Sequence, residues 1–328
     1  MPFSTRVTRL LGVQHPIVLA AMDKMADARL TEAVSAAGGF GILGGGYGDA
    51  AWLAQELPKL AAARSERGIR FGVGFITWSM ARQPHLFDMA LEARPEAIWL
   101  SFGDPAPFAE KARAAGCQVI CQVQSVEMAQ DAVAKGASMV IAQGMEAGGH
   151  GAARGLFALL PAVVDAVADK VPVLAAGGVA DGRSMAAAMM LGAEGVVLGT
   201  RFYASVEAAG HPAAKQRIVE ASGDHTVRGI VFDISRSNVW PEPFNGRCLV
   251  NEHSKRWTGR EVQLMQALGT EGPRYAAAQA AGDFDTAAVI AGEGVSLIHS
   301  VQPAGEIVRD MMARAEAVMA GGQGSRPA

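Results

Sequence analysis

Eight times between residues 16 and 199 a short apolar run gives way to an alanine-rich amphipathic segment. The runs span 16–20, 40–44, 71–75, 97–102, 118–123, 139–144, 172–176 and 195–199. They are nearly continuous in apolar residues rather than alternating, which marks strands buried on both faces, as in a parallel sheet. Parallel neighbours need a crossover, and the intervening segments have helical period and length. The pattern predicts a (β/α)8 TIM barrel; a doubly wound sheet is the alternative, but such sheets usually carry fewer strands. Half the residues are hydrophobic, only 6% are aromatic and 39 are glycine, a balance that suits α/β packing better than an all-β core.

The helical segments are 26–37, 49–67, 84–93, 105–115, 125–135, 156–168 and 181–191, with Asp49, Ser125 and either Asp181 or Ser184 placed to cap three of them. Beyond residue 199 the period breaks. Helical patterns cover 206–222, 259–268, 273–282, 287–298 and 304–319. The stretch 229–251 holds Trp240, Pro241, Pro243 and the turn pair Asn245-Gly246, and reads as irregular structure over the barrel mouth. Residues 320–328 read as a frayed tail. The expected division is a barrel over 1–212, a smaller, mainly helical substrate or lid domain over 213–294, and C-terminal helices over 295–328 that pack back on the barrel and end in a flexible tail.

Several function classes fall away. The net charge is −3 with no Lys/Arg block, so neither nucleic acid nor an anionic lipid surface is an expected partner. No apolar run approaches the roughly 20 residues of a membrane span, and the N-terminus lacks a signal-peptide core. Cys117, Cys121 and Cys248 show no C-x-x-C spacing, which fits buried reduced thiols and a cytoplasmic setting. The histidines have no metal-ligand spacing. Ser222, Asp224 and His225 stand too close together for a hydrolytic triad, and no G-x-S-x-G elbow is present. Gly46-x-Gly48-x-x-Ala51 matches a dinucleotide fingerprint, but it follows the second strand and the next strand ends without an acidic residue. A cavity wall is the better reading.

In a barrel the functional groups come from the loops after the strands. Met22, Gly74, Phe102, Gln122, His150, Gly178 and Thr200 all fall there. After the sixth strand, Gly148-Gly149 precedes His150; glycines there let the backbone press against a flat ligand, and imidazole titrates nearest neutrality. Glu146 either orients that imidazole or is solvated. Gly177-Gly178 and Gly199-Thr200, after the seventh and eighth strands, are placed for a phosphate cup. Gln122 and Gln124 end an apolar strand and need buried partners, either a ligand or the neighbouring strand's loop. Trp78, Trp99 and Phe102 line a substrate chamber or fill core.

These motifs resemble a known family. Gln143-Gly-Met-Glu-Ala-Gly-Gly-His150, the run Ala-Ala-Gly-Gly-Val-Ala-Asp-Gly-Arg over 175–183, and Leu-Gly-Ala-Glu-Gly-Val-Val-Leu-Gly-Thr-Arg-Phe over 191–202 are similar to nitronate monooxygenase, formerly 2-nitropropane dioxygenase. So are His15-Pro16-Ile17, Ile98-Trp99-Leu100 with Asp104-Pro105, and the run Gln-Pro-Ala-Gly-Glu-Ile-Val-Arg over 302–309. The resemblance implies non-covalent FMN, an alkyl nitronate or nitroalkane as substrate, O2 as oxidant, and His150 as the catalytic residue. It implies Gly177, Gly178, Gly199 and Thr200 at the FMN phosphate. Ala21, Met22 and Gln122 would lie near the ring, and Ala20, Gly74, Gly148 and Gly149 are the other expected cofactor contacts. Ala20-Ala21-Met22 departs from the Ala-Pro-Met common in the family. The Gly-Gly-His and phosphate loops also occur in flavin-type enoyl-acyl-carrier-protein reductases and NADH:quinone reductases, so an NAD(P)H-dependent reductase is the nearest rival. A flavin-binding protein without turnover is the rival of another class. A homodimer is a candidate assembly.

Overall fold

Every barrel strand of the computed structural model, which describes residues 3–321, falls on one of the eight apolar runs. In chain order they are β1 (Ile17–Leu19), β2 (Gly41–Gly46), β3 (Phe71–Ile76), β4 (Ala97–Ser101), β5 (Gln118–Val123), β6 (Met139–Gln143), then β8 (Val173–Ala176) and β9 (Gly195–Leu198), with the short β7 (Gly149–Gly151) between β6 and β8. The spatial order is β1-β9-β8-β6-β5-β4-β3-β2, all pairs parallel. The ends meet through a parallel bridge between Val18 and Phe40, with Leu19 N donating to Phe40 O at 2.9 Å. This is the (β/α)8 barrel.

Side-chain alternation sends one set of strand residues inward, among them Val18, Phe40, Ile42, Trp99, Ile120, Ile141, Leu174 and Val197, which form one buried cluster. The other set packs under the helices in a larger core that includes Leu19, Leu43, Val73, Leu100, Val119, Val140 and Val196. Asp49, Ser125 and Asp181 cap their helices through the backbone N–H of Trp52, Met128 and Ser184. Ser184 closes a capping box with Asp181 rather than starting the helix itself.

Beyond β9 the correspondence loosens. The expected helix over 206–222 is confined to Pro212–Glu220, where Pro212 fits the first turn. The segment 229–251 is only partly irregular: it contains the helix Val231–Ser235 and the strand β11 (Asn245–Leu249). β11 pairs antiparallel with β10 (Thr226–Gly229) and with β7. Helices at Glu261–Gln266 and Leu268–Ala281 replace those expected over 259–268 and 273–282. The helix expected over 287–298 is reduced to a single 3-10 turn, Glu293–Leu297. Backbone groups before it serve other partners: Val289 O accepts from Leu249 N at 2.9 Å, and Gly292 N donates to Thr200 Oγ1 at 3.0 Å. Two short helices, Arg6–Leu11 and Glu252–Trp257, carry no strong pattern in sequence.

A second apolar cluster joins Tyr203, Ile218, Phe232, Leu249, Tyr275, Phe284, Val289 and Ile298, so the core of the post-barrel region reaches past both ends of 213–294. The helix Ala304–Met319 returns to the barrel and packs against the helix Gly182–Met190. The tail expected over 320–328 lies largely outside the described residues. No helix among those described is long and apolar enough to cross a membrane.

Candidate active site

The inward cluster ends abruptly at the carboxyl ends of the strands. Continuing the inward parity upward gives Ala20 after β1, Gly74 on β3, Gln122 on β5, Gln143 on β6 and Gly199 after β9. These are small residues or amides, so the apolar filling stops and the mouth keeps a floor of short side chains and amides. The segment carrying Ala21 and Met22 crosses this floor. A Cβ on Gly74 would stand 2.3 Å from Ala21 Cβ, and one on Gly44 would stand 2.0 Å from Met22 O.

The glycines of the site divide by what surrounds them. A Cβ on Gly148 would meet Ala291 C and Gly292 N at 2.7 Å, and one on Gly177 would meet Gly144 O at 2.9 Å. Those two, with Gly74, are required by close packing of the chain on itself. Gly178 (φ +70°) would meet only Glu146 Cβ at 3.5 Å, and Gly149 (φ +74°) only Ile290 at 3.5 Å. A Cβ on Gly199 would lie 3.6 Å from Ala20 Cβ and 3.8 Å from Met22 Sδ. At these three an added Cβ would make only ordinary contacts. Among the described residues the backbone N–H groups of Gly178 and Val179 find no backbone or side-chain acceptor, as donors awaiting an anion would.

His150 stands on β7, opposite Gly246 of β11. Arg228 and Arg247 tie the preceding loop down. Arg228 Nη2 donates to Met145 O at 2.9 Å and Ala147 O at 3.1 Å, and Arg247 Nε donates to Met145 O at 3.0 Å. Burial, then the neighbouring Arg247, lowers the Arg228 pKa to about 10. Gln143 Nε2 donates to His150 O at 2.9 Å, while Gln143 Oε1 accepts from Gln122 at 3.1 Å and Gln124 at 2.8 Å. Gln122 thus spends one donor on the neighbouring strand and keeps its carbonyl oxygen.

The imidazole Nε2 of His150 lies 2.9 Å from Asp233 Oδ2, with side chains only 8% and 6% exposed. Asp233 Oδ1 accepts from Arg236 Nη2 at 2.7 Å. Nδ1 of His150 makes no hydrogen bond among the described residues. Burial pulls the His150 pKa below the ordinary histidine value; the Asp233 carboxylate opposes that pull, and Arg236 and Arg228 add to it. The group is therefore neutral at pH 7. Trp240 lies parallel to the imidazole, centroids 3.5 Å apart at 7°. Its indole N–H donates to Tyr47 Oη at 2.9 Å, and its edges meet Trp78 and Phe102 at 5.5 Å and 5.0 Å. Tyr47 directly follows Gly46 at the end of β2, so the chain leaving the glycine run contributes a ring to this aromatic cluster.

Glu146 takes neither expected role. Both of its oxygens accept from Leu156 N, at 2.9 Å and 3.0 Å, capping the helix Leu156–Val167. Asp233 and Arg228 escaped the sequence reading, and Gln143 and Trp240, though named in it, were given no role at the site. Asp233 is 83 residues from His150, and nothing in its local pattern marks it. Trp99 belongs to the barrel interior, whereas Trp78 and Phe102 belong to the chamber. Thr200 Oγ1 accepts from Gly292 N, which leaves its hydroxyl proton free. Ser222, Asp224 and His225 lie together on a turn and do not meet His150.

Fold and site together define a (β/α)8-barrel enzyme with its site at the carboxyl ends of the strands and a buried, carboxylate-held histidine at the mouth. The profile of the nitronate monooxygenase family matches residues 4–77 and 76–314, and the chain belongs to that family. It is 33% identical to a nitronate monooxygenase of Neurospora crassa, covering 92% of this chain and 90% of that one. Among solved structures it is similar to FabK from Thermotoga maritima, with a TM-score of 0.84 and 31% identity over 97% of this chain and 98% of that one. It is also similar to a nitroalkane oxidase from Streptomyces ansochromogenes, with a TM-score of 0.80 and 27% identity over 96% of this chain and 99% of that one.

Proposed function

We propose that the protein is an FMN-dependent nitronate monooxygenase that oxidises small alkyl nitronates, and nitroalkanes after proton removal, with O2 to a carbonyl compound and nitrite. Three features support a flavin phosphate at the mouth: the unpaired N–H groups of Gly178 and Val179, the absence of any close contact at the Cβ position of Gly199, and the Thr200 hydroxyl. The floor of Ala20, Ala21, Met22 and Gln122 would lie against the ring, with Gly74 giving Ala21 its room and Gly148 and Gly149 shaping the opposite wall. Bound FMN supplies the electron acceptor that no side chain offers.

The chain's own chemistry is proton handling. The observation that carries the reading is a buried histidine held through Nε2 by Asp233, with Nδ1 unpartnered; burial lowers its pKa and so favours the neutral ring. A neutral imidazole takes the α-proton of a nitroalkane; the imidazolium so formed holds the nitronate anion. The rings of Tyr47, Trp78 and Phe102 would exclude water around an alkyl chain, with Trp240 lying over the imidazole.

The absorption spectrum of the purified protein, followed by nitrite release in air from propyl-2-nitronate, tests the assignment. A yellow protein that releases nitrite is expected. Rapid bleaching by NADH without air, and no nitrite, would assign the scaffold to the NAD(P)H-dependent reductases. A yellow protein with neither response would be a flavin-binding protein without turnover.

A further inference from the structure

We infer that Asp233 is a positioning residue that holds the single proton of neutral His150 on Nε2, so that Nδ1 presents the lone pair that removes the substrate proton. The inference rests on the general-base reading above.

A carboxylate only accepts hydrogen bonds, and a neutral imidazole carries one N–H. With Asp233 Oδ2 at 2.9 Å from Nε2, the proton resides on Nε2 and the lone pair on Nδ1. The other oxygen of Asp233 accepts from Arg236 Nη2 at 2.7 Å, an ion pair that fixes the orientation of the carboxylate. The pair is fixed from outside the barrel. Asp233 sits in the helix Val231–Ser235, whose Ser235 Oγ is 2.8 Å from His253 Nε2 and 3.0 Å from Val231 O. His150 itself is fixed by the β7–β11 ladder and by Gln143 on its carbonyl. The ring therefore has one orientation, and Trp240 covers one of its faces. The charged groups bearing on the imidazole are Asp233, Arg236 and Arg228. The two arginines disfavour the imidazolium, so the carboxylate's task is to orient the neutral ring as much as to stabilise the charged one.

Asp233→Asn separates this role from a merely structural one. The Asn carbonyl oxygen keeps Arg236, which turns the amide NH2 toward Nε2. Nε2 must then accept, the proton moves to Nδ1, and no lone pair meets the substrate. On nitroalkanes, kcat/KM is expected to fall about 10²–10⁴-fold, the usual worth of a general base. Preformed nitronates need no proton removal, so their kcat/KM should fall at least about tenfold less than that of nitroalkanes, a difference of ~1.4 kcal/mol. Long-range ¹H–¹⁵N spectra of the flavin-loaded enzyme labelled with ¹⁵N-histidine read the tautomer directly. They should show Nδ1 bare in the wild type and protonated in Asp233→Asn. A proton on Nδ1 in the wild type, or equal losses on both substrates, overturns the inference. A wild-type enzyme that releases no nitrite from any nitronate overturns the proposed reaction instead, while the tautomer measurement still decides the role of Asp233.

Discussion

The indole of Trp240 lies flat on the imidazole of His150, centroids 3.5 Å apart and planes 7° from parallel. A substrate whose planar carbon–nitrogen group approaches that face must displace the indole. The indole is held by the stack and by its bond to Tyr47 Oη. An aromatic pair contributes about 0.5–1.5 kcal/mol beyond its buried area. Trp240→Ala should therefore lower KM for nitronates about two- to tenfold with kcat little changed, by the same factor for every chain length. Nitrite release across a series of alkyl nitronates measures this. A change confined to the longer chains would make Trp240 a wall of the pocket rather than a cover on the histidine.

His150, His253 and His15 all have their pKa lowered, burial being the largest cause in each. Each is neutral in the folded protein at a pH where the unfolded chain has begun to take up a proton. The unfolded state then binds more protons, so stability rises with pH in that interval and is lost as pH falls from the ordinary histidine value toward the folded values. The urea midpoint should be flat above about pH 7 and should decline below about pH 6.5, the unperturbed histidine value. His253→Gln, at the buried Ser235 contact, should flatten that decline. For activity on nitroalkanes, the same shift puts the acid limb of kcat/KM below the ordinary histidine value. Trp240→Ala, by admitting water to the ring, should move the limb upward. A limb that stays in place would dissociate it from His150.

How much of this was legible in the sequence depends on how local each cause is. Barrel strands are continuous apolar runs and their helices carry caps, so both wrote themselves into short windows, down to Asp49, Ser125 and Asp181. His150 was legible because two glycines adjoin it. Its partner was not, because Asp233 reaches it through tertiary packing across 83 residues. Glu146 misled for the same reason: its closeness in sequence to His150 suggested a dyad, but the nearer unsatisfied donor was the first N–H of the helix Leu156–Val167. The stretch 287–298 has helical composition, yet its backbone groups are claimed by Leu249, Thr200 and Glu146. Such claims override propensity and leave no local trace.

Gly74 and Gly199 look alike in sequence, each near the carboxyl end of an apolar run, but the structure gives them opposite reasons. A methyl on Gly74 would stand 2.3 Å from Ala21 Cβ, so Gly74→Ala must move the β1 loop and should cost about 1–3 kcal/mol, as overpacking does. Gly199 has φ −101° and ψ −79°, at the margin of the right-handed region and not in the left-handed one that favours glycine. Its added methyl would meet Ala20 and Met22 only at ordinary contact distances, 3.6 Å and 3.8 Å. Gly199→Ala should therefore leave the urea midpoint of the flavin-free protein nearly unchanged, within about 0.5 kcal/mol. The methyl projects into the space where the flavin phosphate is proposed to bind, so FMN affinity should fall about tenfold or more, a loss of ~1.4 kcal/mol. Fluorescence titration of FMN into the flavin-free variant gives the affinity, and urea unfolding gives the stability. Wild-type affinity in Gly199→Ala would move the phosphate away from the end of β9, and with it the ring from the face of His150.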